Sequence, residues 1–261
     1  MTLRAIIRGA TPGPLRRMIR SFVSPDLRTY PSWADALAAA GTNYASPEIL
    51  AYVRRAALRV KAGKAAYERD GIAYATAEYR WPLLALISTL AAERRGCLHL
   101  ADFGGSLGSV YFQHRTFLAE IPQLHWSVIE QSHFVSCGNA EFADDRLHFF
   151  TAWPDLIAAR GTPDAVIFSG VLNCIPDPIE ELTAASALGI ERLFIDRIGI
   201  DADREQVVVV DFRSDLWNGR LPMRIFCRDD LVSALSRLGY RFVAEFPSLG
   251  PHQRGLYFRR H

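Results

Sequence analysis

The sequence predicts an α/β protein: a doubly wound, mostly parallel sheet with a C-terminal antiparallel strand, preceded by an N-terminal helical extension. From Cys97 onward, short and nearly continuous apolar runs alternate with segments of helical periodicity. Such runs are typical of strands buried on both faces of a parallel sheet, and their alternation with helices predicts β-α-β units. The chain has 261 residues, 49% hydrophobic and 22% charged, so it is long enough for one large domain and is not collagenous, disordered or of low complexity.

The core domain is predicted to span residues 96–261. Its parallel strands are expected at 98–103, 126–130, 147–150, 165–169 and 193–198, separated by helices at 109–120, 132–142, 153–160 and 177–188. Two β-rich runs, 206–212 and 221–226, then flank Trp217-Asn218-Gly219, a turn signal that predicts an inserted hairpin over 206–226. A helix from Arg228 to Gly239 and two terminal strands, 240–246 and 255–258, complete the prediction.

Residues 29–95 are predicted to form the helical extension. Ser32 with Asp35 is a capping box, and Gly41 ends the helix that follows. Ser46-Pro47-Glu48 supplies an N-cap, a proline in the first turn and an acid at the positive end of the helix dipole. A third helix is expected to begin near Trp81-Pro82.

Residues 1–28 form a basic arm. Residues 1–24 hold five arginines and no acid, although the whole chain has 30 basic and 28 acidic residues and a net charge of +2. Apolar residues recur at helical spacing behind Pro14, so one interpretation is a helix that makes peripheral contact with a membrane or a partner. The alternative is a terminal helix on the protein body or a partly disordered segment. The balanced total charge argues against nucleic acid as a partner.

A reducing, cytoplasmic location is the expectation. The longest apolar stretch, 82–92, is shorter than the ~20 residues of a transmembrane segment. Arg8, Gly9, Pro12 and Pro14 interrupt the apolar region that a signal peptide would need. The four cysteines lie far apart with no Cys-x-x-Cys pair and no histidine at zinc-ligand spacing, so neither disulfides nor a metal site is expected.

A glycine-containing loop follows the first core strand, from Asp102 to Ser109. Glycines at the carboxyl end of this strand let a ligand approach the backbone, and the next helix offers free N–H groups at its positive end. The dinucleotide fingerprint would require glycines at Ser106 and Ser109, so it fails. The methyltransferase pattern acid-x-Gly-x-Gly-x-Gly matches Asp102, Gly104 and Gly108, with Ser106 at the middle glycine. The extra Gly105 can restore freedom to the loop.

Two further strand ends are expected at the same edge of the sheet. Glu130 ends the second strand, where an acid is suited to accept hydrogen bonds from both hydroxyls of a ribose. Ser169 ends the fourth strand and should border the same ligand, because ligands of doubly wound sheets lie outside the carboxyl ends of the strands.

These segments carry a resemblance to a known family. They are Asp102-Phe-Gly-Gly-Ser-Leu-Gly-Ser-Val-Tyr-Phe-Gln, Ile129-Glu-Gln-Ser-His-Phe-Val, Ser169-Gly-Val-Leu-Asn and Ile195-Asp-Arg. With the predicted layout of strands, they resemble a bacterial family of class I S-adenosylmethionine-dependent methyltransferases that is often associated with surface-polysaccharide gene sets. The resemblance extends into the helical extension, at Tyr67-Glu-Arg-Asp-Gly and Trp81-Pro-Leu-Leu.

The resemblance implies S-adenosylmethionine as cofactor and assigns roles around it. Asp102, Gly104, Gly105, Ser106 and Gly108 would surround its methionine part, and Glu130 would bind its ribose. Gln131 and Ser132 would lie near the adenine. Trp153 either covers the adenine or belongs to the core, and for a large aromatic residue the core is the more common place.

Methylation of a hydroxyl also requires a general base. Asp196 at the end of the fifth strand is the first candidate, although it could instead form an ion pair with Arg197. His133, just past the ribose acid, is the second, and a hydrogen bond to adenine or to a loop carbonyl is its alternative role. His114 is expected to be structural. Tyr79, Arg80 and Trp81 would either line the acceptor site or pack in the core.

The predicted function is methylation, in particular O-methylation, of a small-molecule or glycan-linked acceptor. A catalytically inactive methyltransferase-like scaffold is the alternative, because Ser106 replaces a glycine and no base is evident. A nucleotide-dependent oxidoreductase or epimerase is disfavoured because both lysines precede the first core strand, which excludes a Tyr-x-x-x-Lys pair after it.

Overall fold

A mixed sheet, with ten strands among the described residues, forms the centre of the protein. The structure, a computed structural model, describes residues 28–201, 203–213, 218–250 and 252–261. The basic arm therefore lies outside the described residues except for Arg28. The strands are β1 Thr29–Tyr30, β2 Tyr67–Arg69, β3 Ile72–Tyr74, β4 Cys97–Phe103, β5 Gln123–Ile129, β6 Leu147–Phe150, β7 Ala165–Ser169, β8 Arg192–Asp201, β9 Gln206–Arg213, β10 Asn218–Cys227, β11 Tyr240–Pro247 and β12 Gln253–Arg260. The helices are α1 Trp33–Ala40, α2 Pro47–Lys61, α3 Trp81–Glu93, α4 Ser109–Leu118, α5 Ser132–Glu141, α6 Trp153–Arg160, α7 Pro178–Ala187 and α8 Arg228–Arg237.

The core of the sheet has the order β6-β5-β4-β7-β8-β12-β11. The first five of these strands are parallel, and β12 runs antiparallel to both β8 and β11. The order reverses between β4, whose next strand in the chain lies on one side, and β7, which lies on the other. The doubly wound, mostly parallel sheet with a C-terminal antiparallel strand is therefore confirmed.

Helices cover both faces of this sheet. On one face, α2 to α5 pack on β4 and β5 around residues such as Leu90, Leu100 and Trp126. On the other, α6 to α8 pack on β7 and β8 around Phe168 and Leu182. Each fully buried side chain of this size contributes about 1.5–3 kcal/mol through the hydrophobic effect. Burial from both sides explains why the core strands are nearly continuous apolar runs.

The extension contains the three predicted helices and two features that were not predicted. Ser32 caps α1 by accepting a hydrogen bond from the Asp35 N–H at 3.1 Å, and Gly41 ends that helix in the left-handed conformation. Between α2 and α3, strands β2 and β3 form a short antiparallel hairpin whose turn is Asp70-Gly71. Both turn residues have positive φ, 51° and 76°, as a two-residue type I′ turn requires. Strand β1 pairs with β9 and is the second unpredicted feature.

The inserted hairpin is present as β9 and β10, but two of the three residues of the predicted turn signal belong to a strand. Asn218 and Gly219 are paired strand residues of β10, opposite Arg213 and Phe212. The connection, residues 214–217, lies outside the described residues. Strand β8 is longer than β7, and β10 pairs in parallel with its overhanging end at Ile225↔Gly199. The hairpin thereby joins the main sheet beyond the carboxyl end of β7.

In the described part of the chain, no helix combines the length and apolarity that a membrane crossing requires.

Candidate active site

The loop between β4 and α4 bends sharply around Asp102. Gly104 and Gly108 have φ of 68° and 84°, and Ser106 adopts the left-handed region as well, at 57°. The Gly104 N–H donates to the Ile129 carbonyl at 2.8 Å, which holds the loop against the end of β5. A Cβ on Gly105 would lie 2.5 Å from Cγ of Asp102, so only glycine fits there without rearrangement. The loop thus wraps closely around a carboxyl group and leads into the N-terminus of α4.

Asp102 is fully buried and only half satisfied. Its Oδ2 accepts a hydrogen bond from Nε1 of Trp126 at 3.2 Å, whereas its Oδ1 has no hydrogen-bond partner among the described residues. Burial raises the pKa of this carboxyl to about 7. A buried acceptor without a donor costs about 1–3 kcal/mol unless a ligand or water supplies one. Together with a glycine loop at a helix N-terminus, this oxygen fits a ligand with a cationic or N–H group.

Glu130 connects the end of β5 to the same loop. Its Oε1 accepts from the Ser106 N–H at 3.2 Å, and its Oε2 accepts from the Gln131 N–H at 2.8 Å. Burial raises the pKa of this carboxyl. The Gln131 side chain is exposed and its Nε2 donates to the Tyr44 carbonyl at 3.4 Å. The two predicted cofactor segments, the glycine loop and the strand-end acid, are therefore in direct contact.

His133 and Ser169 lie at the same edge of the sheet. His133 is the second residue of α5, half-buried, with its ring 5.0 Å from that of Phe134. Its Nε2 is buried and has no hydrogen-bond partner among the described residues. Ser169 ends β7 and is in register with Asp196 on β8.

Asp196 forms a buried ion pair with a residue of the extension. Arg80 donates from Nε to Oδ2 at 2.9 Å and from Nη2 to Oδ1 at 2.8 Å. Oδ1 also accepts from the Ser248 hydroxyl and from the Arg197 backbone N–H. The Asp196 side chain is 2% exposed and that of Arg80 13%. The suggested ion pair between Asp196 and the Arg197 side chain is wrong, because that guanidinium lies against a different acid.

The Arg197 guanidinium binds Asp70, in the turn of the β2–β3 hairpin. Its Nη2 lies 2.6 and 2.7 Å from the two carboxylate oxygens, while its buried Nε has no partner among the described residues. Arg197 has a φ of 60°, which is strained for a residue with a side chain. The guanidinium lies on Gly170, where a Cβ would be 3.1 Å from Cζ. Neighbouring residues of β8 are thus held by opposite charges of the extension.

The segment around Arg80 is anchored on α4. His114 accepts the Arg80 backbone N–H on Nε2 at 2.9 Å and has Nδ1 2.8 Å from the Val110 carbonyl. This arrangement makes Nδ1 the protonated nitrogen, and burial lowers the pKa of the ring to about 4. Next to it, Tyr79 and Trp81 form an aromatic cluster with Phe117 in which Trp81 is 61% exposed. These rings lie at the surface rather than in the core.

Trp153 belongs to the core. Its ring is buried and stacks on Phe103 at 5.8 Å, and its Nε1 donates to Glu181 at 3.0 Å.

Glu68 is a functional candidate that the sequence interpretation did not identify. It lies on β2, 3% exposed, and its Oε1 accepts from the Gly71 N–H at 2.7 Å. Its Oε2 accepts from the hydroxyl of Ser109, the first residue of α4. Burial raises the pKa of this carboxyl to about 7. The Asp-Gly turn was the signal available, since it predicts a hairpin that carries the preceding residues into the fold.

Among the described residues, no group of three or more His, Cys, Asp and Glu side chains is arranged to hold a metal ion. An open surface depression of about 640 Å³ lies between the end of β11 and the start of β12, and Ser248 is part of its lining.

The strand order and the position of the glycine loop define the class of fold. Five parallel strands in the order β6-β5-β4-β7-β8, followed by the β12–β11 pair, with a glycine loop after the first strand of the core, are the class I methyltransferase fold.

Solved structures with this fold are similar to the chain. The N-terminal domain of EvdMO1, determined in the presence of SAH and D-fucose, has a TM-score of 0.48 and 16% identity, covering 80% of this chain and 97% of that one. CalS10, an amino pentose methyltransferase from Micromonospora echinaspora with SAM bound, has the same values. The glycopeptide N-methyltransferase MtfA has a TM-score of 0.48 and 14% identity, covering 68% and 90%. No protein-family model matches the chain, and no curated protein matches it.

Proposed function

We propose that the protein is an S-adenosylmethionine-dependent methyltransferase that methylates, in particular O-methylates, a small-molecule or glycan-linked acceptor. The observation that carries the proposal is the contact between Glu130 and the glycine loop around the buried Asp102, whose Oδ1 has no hydrogen-bond partner among the described residues. This supports the proposal, because the two acids lie at the reversal point of the sheet, where one is suited to a ribose and the other to a cationic group. The association with polysaccharide synthesis is part of the proposal.

The cofactor would be held by the residues of three strand ends. Asp102, Gly104, Gly105, Ser106 and Gly108 would surround its methionine part, Glu130 its ribose, Gln131 its adenine, and Ser169 would border it from β7. When bound, the cofactor supplies an activated methyl group on a sulfonium, so the protein needs to orient the acceptor and exclude water. The segment from Glu68 to Trp81 is suited to this, because it is fastened both to α4 and to the end of β8.

The general base is proposed to be His133 or Asp196. The buried Nε2 of His133 has no hydrogen-bond partner in the part of the chain that the structure describes, which supports the first, because such an imidazole nitrogen can accept a proton. Among the described residues Asp196 accepts four hydrogen bonds, three of them on Oδ1, so that Oδ2 keeps an open lone pair there. Proton uptake there would leave Arg80 without its counter-charge. The geometry therefore favours His133.

Cofactor binding is the first test. Calorimetric titration of the full chain with S-adenosylhomocysteine should give a dissociation constant in the micromolar range, which Glu130→Ala should weaken at least tenfold. Glu191→Ala is a matched control. Glu191 lies between α7 and β8, at the end of the sheet opposite to the strand ends that would hold the cofactor, and it pairs with Arg94. If the wild type does not bind S-adenosylhomocysteine, the proposal that the protein is a methyltransferase is refuted, and the alternative of an inactive scaffold is favoured.

The acceptor and the base are tested next, with transfer of a radiolabelled methyl group to nucleotide sugars and glycans. His133→Gln should reduce turnover at saturating cofactor about 100-fold or more without weakening S-adenosylhomocysteine binding, as loss of a base does. Unchanged turnover in this variant would exclude His133. Transfer to no acceptor by a protein that binds the cofactor would contradict the proposed acceptor class.

A further inference from the structure

Three histidines lie close together on one face of the sheet, near the amino-terminal ends of β4, β5 and β6. His99 on β4 is in register with His125 on β5, and Ser127, two residues further along β5, is in register with His148 on β6. Paired positions and positions two residues apart point to the same face of a sheet, so the three rings share that face. The centres of the His99 and His125 rings are 6.4 Å apart, and Nε2 of His99 lies 2.9 Å from the Ser127 hydroxyl.

Arg160, the last residue of α6, binds two of these rings. Its Nη1 lies 3.0 Å from Nδ1 of His125, and its Nη2 lies 2.6 Å from Nε2 of His148. A guanidinium has only donors and stays protonated in proteins, so both imidazole nitrogens are the acceptors. His125 is therefore the Nε2–H tautomer and His148 the Nδ1–H tautomer. We call Arg160, His125 and His148 the arginine-histidine clamp.

The clamp holds only while both rings are neutral. An imidazolium carries a proton on each nitrogen and has no lone pair left with which to accept. A proton added to Nε2 of His148 therefore displaces the Nη2 donor of Arg160 and leaves two like charges side by side. An ion pair between an arginine and a carboxylate loses its acceptor only in stronger acid, whereas histidine changes its charge near neutral pH. The clamp is thus sensitive to mild acid.

The acids near the clamp are bound elsewhere. Asp164, between α6 and β7, accepts the His99 backbone N–H at 2.9 Å, and its other oxygen pairs with Arg94 at 2.7 Å. Asp144, before β6, accepts the backbone N–H groups two and three residues further on, and the Arg146 side chain donates to a carbonyl at the end of α4. Among the described residues, no carboxylate accepts a hydrogen bond from any of the three rings.

These surroundings favour neutral rings. Burial, and after it the charge of Arg160, lowers the pKa of His148, although Asp144 acts in the opposite direction. Burial, and after it His125, lowers the pKa of His99 to about 4, although Asp164 opposes this shift. His99 and His148 thus resist protonation in the folded protein at a pH where the unfolded chain already binds protons.

We propose that the arginine-histidine clamp is an acid-sensitive switch, which fastens the C-terminal end of α6 to β5 and β6 at neutral pH and releases it in mild acid. The proton comes from the solvent, adds to an imidazole nitrogen and replaces the guanidinium N–H there. Helix α6 begins at Trp153, which stacks on Phe103 of β4, the strand that also carries Asp102. Release therefore loosens a helix that reaches the edge of the sheet with the candidate active site. The switch does not depend on the proposed function.

The sign of the pH dependence follows from the lowered pKa of His148. The contribution of His148 to holding α6 is complete above its ordinary pKa of 6.5 and is lost as the pH falls below that value. One linked proton weakens the closed clamp by up to about tenfold per pH unit. Lowering the pH from about 7.5 to 5.5 should therefore increase the population with an open α6 end at least about threefold.

Hydrogen exchange of the backbone N–H groups in the last turn of α6 measures this opening. In the wild type, their protection relative to that of α7, corrected for the intrinsic exchange rate, should fall at least about threefold between about pH 7.5 and 5.5. The double variant His125→Asn, His148→Gln places amide oxygens where the two nitrogens accept, and an amide does not titrate. Protection in this variant should stay nearly constant over the same range. Arg160→Met should lower protection at both pH values, and His252→Gln, at an exposed histidine before β12, is the control that should behave like the wild type.

A measurement on the wild type alone keeps the test independent of how the variants fold. Nitrogen chemical shifts near neutral pH should show the Nε2–H tautomer for His125 and the Nδ1–H tautomer for His148. The opposite tautomer at either ring would overturn the inference. So would an equal fall in protection for the wild type and the double variant, or no fall in the wild type.

Discussion

The ion pair between Arg80 and Asp196 should be essential to stability. In Arg80→Met the side chain keeps most of its volume and loses the guanidinium, which leaves the 2% exposed Asp196 carboxylate without its counter-charge. Removing one partner of a buried pair costs about 3–5 kcal/mol. The lower end, about 3 kcal/mol, applies here, because Asp196 keeps its hydrogen bonds from Ser248 and from the Arg197 N–H. For a chain of this size the melting temperature should fall by about 6 °C.

The comparison that isolates burial is Arg54→Met. Arg54 binds Glu141 with the same two-pronged geometry, at 2.7 and 2.6 Å, but the two side chains are 47% and 30% exposed. Loss of this exposed ion pair should therefore lower the free energy of unfolding only slightly.

Urea unfolding followed by circular dichroism measures both variants. Adding Asp196→Asn to Arg80→Met should recover part of the lost stability, because the uncompensated charge is then gone. If Arg80→Met is no more destabilising than Arg54→Met, or if the second change lowers stability further, the argument from a buried counter-charge is wrong.

Two further changes probe the loop and the Arg80 anchor. Gly105→Ala should destabilise the fold by about 1–3 kcal/mol in thermal unfolding and weaken S-adenosylhomocysteine binding, because its Cβ would lie 2.5 Å from Cγ of Asp102. Gly199→Ala, where the nearest atom would be 3.8 Å away, should be tolerated, and equal effects would contradict this packing. His114→Leu should lower the free energy of unfolding at pH 8, because the Arg80 N–H loses its acceptor. The pKa of His114 is lowered to about 4 in the folded protein. The contribution of His114 to the free energy of unfolding is therefore complete above about pH 6.5 and is lost as the pH falls toward 4. The difference between wild type and this variant, measured by urea unfolding across that range, should shrink, and a constant difference would refute the linkage.

The core sheet could be predicted from the sequence because its strands are buried on both faces. The strand Leu147–Phe150 has the bounds that the sequence predicts. The contact between the glycine loop and Glu130 could be expected because both lie at the carboxyl ends of neighbouring parallel strands. The β2–β3 hairpin escaped prediction because its strands have only three residues each. Its local stability comes from the stacked rings of Tyr67 and Tyr74, with Arg69 against them, which no periodicity in the sequence indicates.

The ion-pair partners of Asp196 and Arg197 could not be predicted from the sequence, for a different reason. Asp196 and Arg197 are adjacent in the chain, so an ion pair between them was the simplest hypothesis. The actual partners, Arg80 and Asp70, lie 116 and 127 residues away in sequence. Because the chain has 30 basic residues for 28 acids, each acid has many possible partners, and only the topology decides among them.

The fastening of the extension to β8 has a consequence for dividing the chain into pieces. A fragment beginning at residue 96 would keep nine of the ten strands described for the central sheet, all but β1, yet it would contain Asp196 without Arg80 and Arg197 without Asp70. Two neighbouring residues of opposite sign would then lose their counter-charges at once, beside the loop that the proposed cofactor needs. The change in sequence pattern near Cys97 is therefore not the boundary of an independently folding domain. A truncation there would not yield a stable minimal protein.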